Sequence, residues 1–184
     1  MANIIAAEYV TLDGVMEEPH LWPYRSGTNE VSDYQQELMF TCDALLLGRV
    51  TYEAFAASWP TMPNAGEFGE RINAMPKYVV SRTLGQGKLE WNATLVEGDV
   101  VEGVAALKRR PGRDLLIYGS ADLVRTLLQH DLIDDYRLIV HPLVLGKGKR
   151  LFGEGDEAKT LKLTETRAFN SGIVVLTYQP AQEA

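Results

Sequence analysis

The chain has 184 residues, 46% of them hydrophobic, so it can bury a core of its own, and we expect one domain over residues 1–184. Its net charge of −7 leaves no basic stripe to neutralise phosphates, which excludes a broad nucleic-acid-binding surface. The single cysteine excludes an intramolecular disulfide, and no segment approaches the ~20 apolar residues that a membrane span needs. Because the first residues do not form a signal-peptide pattern, we expect a cytoplasmic location.

The chain opens with a predicted buried strand over residues 4–10. A long loop follows, which contains Asp13 and Gly14 and runs to Gly27. Long loops inside compact domains often bind ligands. A helix is predicted over residues 29–41, where apolar residues recur at helical spacing.

The next junction is the most informative part of the sequence. An apolar strand runs into Gly48 and Arg49, and Thr51 then opens an amphipathic helix. Such a junction places free backbone N–H groups, a positive helix end and a guanidinium together, which suits an anionic ligand such as a phosphate. Taken alone, the glycine is also consistent with an ordinary turn. Residues 58–76 are rich in proline and glycine and predict a second loop over the site.

Two further predicted strands end in similar chemistry. One ends at Ser81 and Arg82, and another ends at Gly119 and Ser120, where the serine can cap the following helix. Ligands of open α/β sheets bind outside the carboxyl ends of the strands. Three strand ends of this kind therefore predict one shared cofactor crevice.

The remainder of the chain completes an α/β pattern. Asp99 and Glu102 form a capping pair for another helix, and residues 136–140 predict a further strand. Residues 161–169 and 173–179 predict a hairpin and therefore an antiparallel edge.

The arginines indicate which cofactor would bind. Arg49 and Arg82 follow strands that should be neighbours in a parallel sheet, and two guanidinium groups there could clamp a phosphate. Arginine accommodates the 2′-phosphate of NADPH, whereas a carboxylate in this place favours NAD. The usual Gly-x-Gly-x-x-Gly fingerprint is absent, and two surface arginines without a ligand are the alternative interpretation.

A reductase also needs a proton donor, because the cofactor supplies only the hydride. The candidates near the first loop are Asp13, Glu17, Glu30 and Asp33, with Asp13 preferred because the neighbouring glycine lets the loop fold against a ligand. The three histidines lack metal-ligand spacing, so no metal site is predicted.

Three segments carry a family resemblance. Residues 48–53, Gly-Arg-Val-Thr-Tyr-Glu, resemble the Gly-Arg-x-Thr-x-Glu element of dihydrofolate reductases. Residues 118–123 and 134–148 resemble the reductase domain of the bifunctional riboflavin-biosynthesis deaminase/reductase. The resemblance implies a dihydrofolate-reductase-like fold: a central, mostly parallel sheet flanked by helices, with an antiparallel C-terminal edge. It also implies NADPH as cofactor and a homodimer. The zinc ligands of the deaminase have no counterpart in this chain.

The resemblance further assigns roles to individual residues. It implies that NADPH is held by Gly48, Arg49, Thr51, Ser81, Arg82, Gly119, Ser120, Ala121 and Leu123. Asp13 and Gly14 belong to the loop that covers nicotinamide and substrate, and Trp59 lies on the substrate side. Asp33 lies near the place of the catalytic carboxylate of dihydrofolate reductases.

Together these features predict an NADPH-dependent reductase of a small heterocycle, either pteridine-like or ribosylaminopyrimidine-like. The alternative is a nucleotide-binding or regulatory homodimer with the same fold and no turnover.

Overall fold

One mixed β-sheet organises the chain in a computed structural model, which describes residues 1–23, 29–85 and 89–181. Its order is β4-β3-β2-β5-β1-β6-β8-β7. The neighbours from β4 through β6 run parallel, whereas β8 is antiparallel to both β6 and β7. The predicted fold class, including the antiparallel C-terminal edge, is confirmed. The strands are β1 (Ile4–Thr11), β2 (Cys42–Gly48), β3 (Lys77–Val80), β4 (Ala93–Leu95), β5 (Asp114–Ile117), β6 (Asp135–His141), β7 (Leu161–Ala168) and β8 (Val174–Pro180).

Helices cover both faces of the sheet, so β1, β2 and β5 are buried between two layers. They are α1 (Glu30–Thr41), α2 (Arg49–Ser58), α3 (Gly66–Ala74), α4 (Val100–Lys108) and α5 (Ala121–Gln129). Buried side chains of α1, α2 and α3 share one core cluster, and those of α4 and α5 share another. As predicted, Asp99 caps α4, accepting hydrogen bonds from the N–H groups of Val101 and Glu102.

Two local predictions are wrong. Residues 58–76 do not form a loop over the strand ends, since a 3₁₀ turn over Trp59–Thr61 and helix α3 occupy most of this segment. Apolar side chains of this segment favour a packed helix over a loop, because Phe68 packs on Trp59 and Ile72 is fully buried. Ser120 stands at the N-cap position of α5, but its side chain makes no capping hydrogen bond.

Residues 24–28, at the end of the first predicted loop, lie outside the described residues. Among the residues that are described, no helix is both long enough and apolar enough to cross a membrane.

Candidate functional site

The carboxyl ends of β2 and β5 meet at one point of the sheet. The two strands are parallel neighbours, β2 ends at Gly48, and β5 leads through Gly119 and Ser120 into α5. The Gly48 N–H donates a hydrogen bond to the Gly119 carbonyl at 3.1 Å. Two predicted cofactor-binding turns that are far apart in sequence therefore form a single structure.

Both glycines are needed for this close approach. A Cβ atom on Gly48 would lie 2.3 Å from Ser120 Oγ and 3.0 Å from the Ser120 backbone nitrogen. A Cβ on Gly119 would lie 2.8 Å from Thr51 Oγ1, and Gly119 also has a φ of +111°, which disfavours other residues. We call Gly48, Thr51, Gly119 and Ser120 the strand-end cradle.

Two helices begin at the strand-end cradle. Helix α2 starts directly after Gly48 and α5 directly after Ser120, and neither start is capped by its N-cap side chain. The first helical hydrogen bond of α5 joins the Val124 N–H to the Ser120 carbonyl. The N–H groups that precede it have no acceptor inside the helix, and both positive helix ends point at the cradle. This arrangement suits an anion such as a pyrophosphate.

Ser81 and Arg82 lie at the neighbouring strand end. Strand β3 is parallel to β2, and Val80 is paired with Gly48, so the predicted proximity of these strand ends is confirmed. Ser81 Oγ accepts hydrogen bonds from the N–H groups of Thr83 and Leu84 and so shapes the turn. Arg82 is exposed.

Arg49 lies on the same edge and pairs with Glu53 at 2.8 Å. Both partners are more than 40% exposed, so solvent screens the pair and either side chain is free to take another partner at little energetic cost.

Ala121 and Leu123 differ from the other predicted cofactor residues. Both side chains are buried, and Leu123 belongs to the core cluster between α5 and the sheet. Only their backbone N–H groups, in the first turn of α5, are positioned to meet a ligand at the strand ends.

The loop after β1 is attached to the segment before β7. The Asp13 carboxylate accepts hydrogen bonds from Thr11 Oγ1 at 2.6 Å, from the Gly146 N–H at 2.7 Å and from the Leu145 N–H at 3.2 Å. The hydrogen bond from Thr11 and those from the two backbone N–H groups lower the pKa of Asp13 to about 2. At neutral pH this carboxylate therefore holds no proton, and its structural effect is to hold the loop containing Gly14 in place.

Asp33 and Trp59 lie outside the strand-end cradle. Asp33 is exposed on the outer side of α1, where it lines a groove of about 460 Å³ with Gln36, Glu37, Phe40 and Glu67. Trp59 follows the last residue of α2, a helix of ten residues that is ~15 Å long, and it packs on Phe55 and Phe68. These positions do not support the catalytic role expected of Asp33 or the substrate contact expected of Trp59.

The structure adds a buried carboxyl that the sequence analysis missed. Glu8 on β1 is only 2% exposed, and its Oε1 has no hydrogen-bond partner among the described residues. Burial raises the pKa of Glu8 well above its usual 4.5, and the Gly119 N–H acts in the opposite direction. An acidic residue inside the apolar run of β1 was the sequence signal for this group.

A second missed group lies on the other face of the same strands. Gln35 of α1 is 6% exposed, and burial raises the pKa of Tyr9 of β1, with Gln35 acting in the opposite direction. The Tyr118 hydroxyl, at the end of β5, is buried without a partner among the described residues. The spacing from Val31 to Gln35 and Leu38 places all three on the inward side of α1, and that spacing could have identified Gln35.

Comparison with known proteins assigns the family. The family model of the RibD C-terminal domain matches residues 2–175. The chain belongs to the RibD C-terminal domain family. The protein is also 32% identical over 182 residues to YyaP of Bacillus subtilis (strain 168), described as an uncharacterized protein. That match covers 96% of this chain and 94% of YyaP.

Solved structures agree with the fold of this RibD C-terminal domain. A putative riboflavin biosynthesis protein from Shewanella sp. PV-4 superposes with a TM-score of 0.73 at 23% identity, covering 99% of this chain and 100% of that one. A dihydrofolate reductase from Enterococcus faecalis, complexed with NADP(H) and RAB-propyl, gives a TM-score of 0.64 at 16% identity, with 98% and 97% covered. Family and fold together support a reductase-like role.

Proposed function

We propose that the protein is an NADPH-dependent reductase that transfers a hydride to a small heterocycle, either pteridine-like or ribosylaminopyrimidine-like. The observation that carries this proposal is the strand-end cradle. Gly48 and Gly119 let the ends of β2 and β5 pack closely together, and this brings the uncapped starts of α2 and α5 to one place, where their N–H groups suit a phosphate.

The residues present fit the parts of this cofactor. The backbone N–H groups at the starts of α2 and α5 would hold the pyrophosphate, with Thr51 and Ser120 beside them. Arg49, Ser81 and Arg82, on the edge formed by β2 and β3, would meet the 2′-phosphate. When bound, NADPH supplies the hydride, and the protein supplies orientation and exclusion of water.

The loop after β1 supports a role in covering the reacting groups. Asp13 anchors it to Leu145 and Gly146, and the Gly14 carbonyl accepts a hydrogen bond from the Leu151 N–H. A loop fixed at both positions can exclude water without needing to order itself when a ligand arrives.

The bound state of one structural neighbour also supports the proposal. The Enterococcus faecalis dihydrofolate reductase carries NADP(H), and this chain shares its fold over nearly the whole length. The homodimer and the cytoplasmic location expected from the sequence stay predictions.

Arginine substitutions test the cofactor assignment. We expect Arg49→Ala and Arg82→Ala to weaken NADPH binding about tenfold or more while changing NADH binding little, because only NADPH carries the 2′-phosphate. Arg109→Ala is the matched control, since Arg109 is an exposed arginine at the end of α4. Titration of the tryptophan fluorescence with each cofactor measures the effect. Equal losses for NADPH and NADH would contradict the assignment.

A second candidate function is nucleotide binding without turnover. The observation that favours it is that Asp13 is ionised at neutral pH and that Asp33 is exposed on α1. Mixing the protein with NADPH and either dihydrofolate or a ribosylaminopyrimidine, and following NADPH absorbance, separates the two functions. Sustained NADPH oxidation with either substrate would eliminate the binding-only function.

A further inference from the structure

We propose that Gln35 and Tyr118 select the substrate: their side chains hydrogen-bond a neutral heterocycle that carries both N–H and C=O groups, as a lactam does. The inference rests on the proposed reductase function and narrows its substrate class to oxo-heterocycles. Two buried polar groups carry it, because neither has a hydrogen-bond partner among the described residues.

Both residues lie on the side of the sheet that α1 covers. Ala6 is paired with Ile117, so the next residues, Ala7 and Tyr118, come level with each other towards the carboxyl ends of β1 and β5. Side chains alternate along a strand, and Ala7 and Tyr118 both pack in the core cluster that α1, α2 and α3 share. Gln35 is one of the buried residues of α1, and the others all belong to this cluster.

Neither polar group is paired within the described part of the chain. Gln35 is 6% exposed and its Oε1 accepts no hydrogen bond there, and the buried Tyr118 hydroxyl is equally unpaired. Another phenol of the same cluster is paired, since the Tyr52 hydroxyl donates to the Glu90 carbonyl at 3.2 Å. Buried polar groups in folded proteins are nearly always hydrogen-bonded, because an unpaired group has lost its water without a replacement. Two unpaired groups on one side of the sheet therefore indicate a ligand with complementary groups.

Aromatic rings stand on the same side of the sheet. Tyr9 follows Ala7 by two residues on β1, so it points to the same side and packs on the same core cluster. The ring centroid of Tyr9 lies 5.0 Å from that of His141, which lies 5.2 Å from that of Trp22, and both contacts are edge to face. Such rings form a wall against which a flat heterocycle can pack.

Tyr9 is the partly exposed member of this group. Burial raises the pKa of both Tyr9 and Tyr118, with Gln35 opposing the shift at Tyr9 and Tyr9 adding to the shift at Tyr118. These influences agree with a Tyr9 ring that lies beside both buried groups. Rotation of this partly exposed ring opens the way for a ligand to reach them.

The chemistry of the two groups defines the ligand. The amide oxygen of Gln35 needs an N–H donor, and the hydroxyl of Tyr118 can donate to a carbonyl oxygen. The ring N–H and C=O of a lactam supply both. Because Tyr118 directly precedes Gly119 of the strand-end cradle, a ring held here lies next to the proposed cofactor site.

The charges on this side of the sheet favour a neutral ring. A cationic ring would need a carboxylate, because a buried charge without a counter-charge is costly. Glu8 alternates with Ala7 and so points to the other side of the sheet, as its neighbours Ala6 and Val10 do. Asp33 is exposed on the outer side of α1.

Two matched ring compounds test the ligand class. In 2,4,6-triaminopyrimidine, amino groups replace both carbonyl groups of 6-aminouracil, and the ring stays the same. In NMR titrations with and without NADPH, we expect the parent protein to bind 6-aminouracil at least about tenfold more tightly than 2,4,6-triaminopyrimidine. Gln35→Met and Tyr118→Phe each remove one polar group at nearly constant size, and each should weaken 6-aminouracil binding about tenfold, as expected for one lost hydrogen bond.

Thermal unfolding without ligand separates recognition from a structural role. Because neither group has a partner to lose, Gln35→Met and Tyr118→Phe should not lower Tm, whereas Tyr52→Phe loses its hydrogen bond to the Glu90 carbonyl and should lower it. Gln36→Met is the matched control for binding, since Gln36 is the neighbouring amide and lines the groove on the outer side of α1. It should bind 6-aminouracil as the parent does.

Several results would overturn the inference. They are parent-like binding of 6-aminouracil by either variant, equal or no binding of the two ring compounds by the parent, and a Tm loss in Tyr118→Phe as large as in Tyr52→Phe. If Gln35→Met does not fold, Tyr118→Phe alone decides.

The proposed function has a separate outcome. NADPH titration of the same variants should match the parent, because the strand-end cradle is intact in them. NADPH binding without 6-aminouracil binding would overturn only the present inference. Selective 6-aminouracil binding without NADPH binding would instead overturn the proposed cofactor.

Discussion

A single methyl group at Gly48 should disrupt the strand-end cradle. In Gly48→Ala the new Cβ would lie 2.3 Å from Ser120 Oγ and 3.0 Å from the Ser120 nitrogen. The hydroxyl can rotate away, but the backbone nitrogen cannot, so the Gly119–Ser120 turn must move. Gly48 has a φ of −72°, so alanine fits the backbone and the effect arises from crowding alone.

The expected change in the free energy of unfolding of Gly48→Ala combines two destabilising contributions with one stabilising contribution. Crowding of a packed site costs roughly 1–3 kcal/mol, and stretching the bond from the Gly48 N–H to the Gly119 carbonyl costs up to about 1 kcal/mol more. Alanine lowers the conformational entropy of the unfolded chain, which stabilises the folded state by about 0.4–1 kcal/mol. We expect a net loss of about 2 kcal/mol in the free energy of unfolding, which lowers Tm by roughly 4–8 °C in a chain of this size. NADPH binding should weaken more than tenfold.

Gly85→Ala is the matched control, because among the described residues no atom outside its chain neighbours lies within 4 Å of its added Cβ, and its φ is not positive. Thermal unfolding of the two variants measures their stability, and titration with NADPH measures their cofactor binding. If Gly48→Ala matched Gly85→Ala in both measurements, the close approach of the two turns would not exist in solution.

Two further predictions concern carboxyl groups. Because the pKa of Glu8 is raised in the folded state, its contribution to stability is full below pH 4.5 and declines as the pH rises towards the folded value. In urea unfolding above pH 4.5, the free energy of unfolding of the parent protein should therefore fall with rising pH relative to that of Glu8→Gln, and parallel profiles would contradict this. The pKa of Asp13 is lowered to about 2, so its contribution is present above pH 3.8 and is lost as the pH falls through 2. Asp13→Asn should accelerate amide exchange at Leu145 and Gly146 at neutral pH, and unchanged exchange would show that this carboxylate does not anchor the loop.

The local features of this protein could be predicted from its amino-acid sequence. The run from Ala44 through Gly48 into Arg49 predicted a strand, a turn and a helix; the structure has the strand and the helix, and the helix follows Gly48 directly, without a separate turn. The Asp99 cap was equally local, since its acceptor and donors lie within three residues. The spacing of apolar residues along a strand or a helix shows which side of that element is buried. Such features can therefore be predicted without knowing which distant segment packs against it.

Which of these residues meet, and what each carboxyl group does, depends on contacts between distant parts of the chain. Glu8, Asp13 and Asp33 are all acidic, yet one is buried behind Gly119, one is ionised and anchors a loop, and one faces outward from α1. Residues 58–76 resembled a loop in composition, but packing of Phe68 and Ile72 made much of the segment a helix. Burial, charge state and hydrogen-bond partners depend on segments that are distant in sequence, because the sheet order brings together strands that the chain order separates.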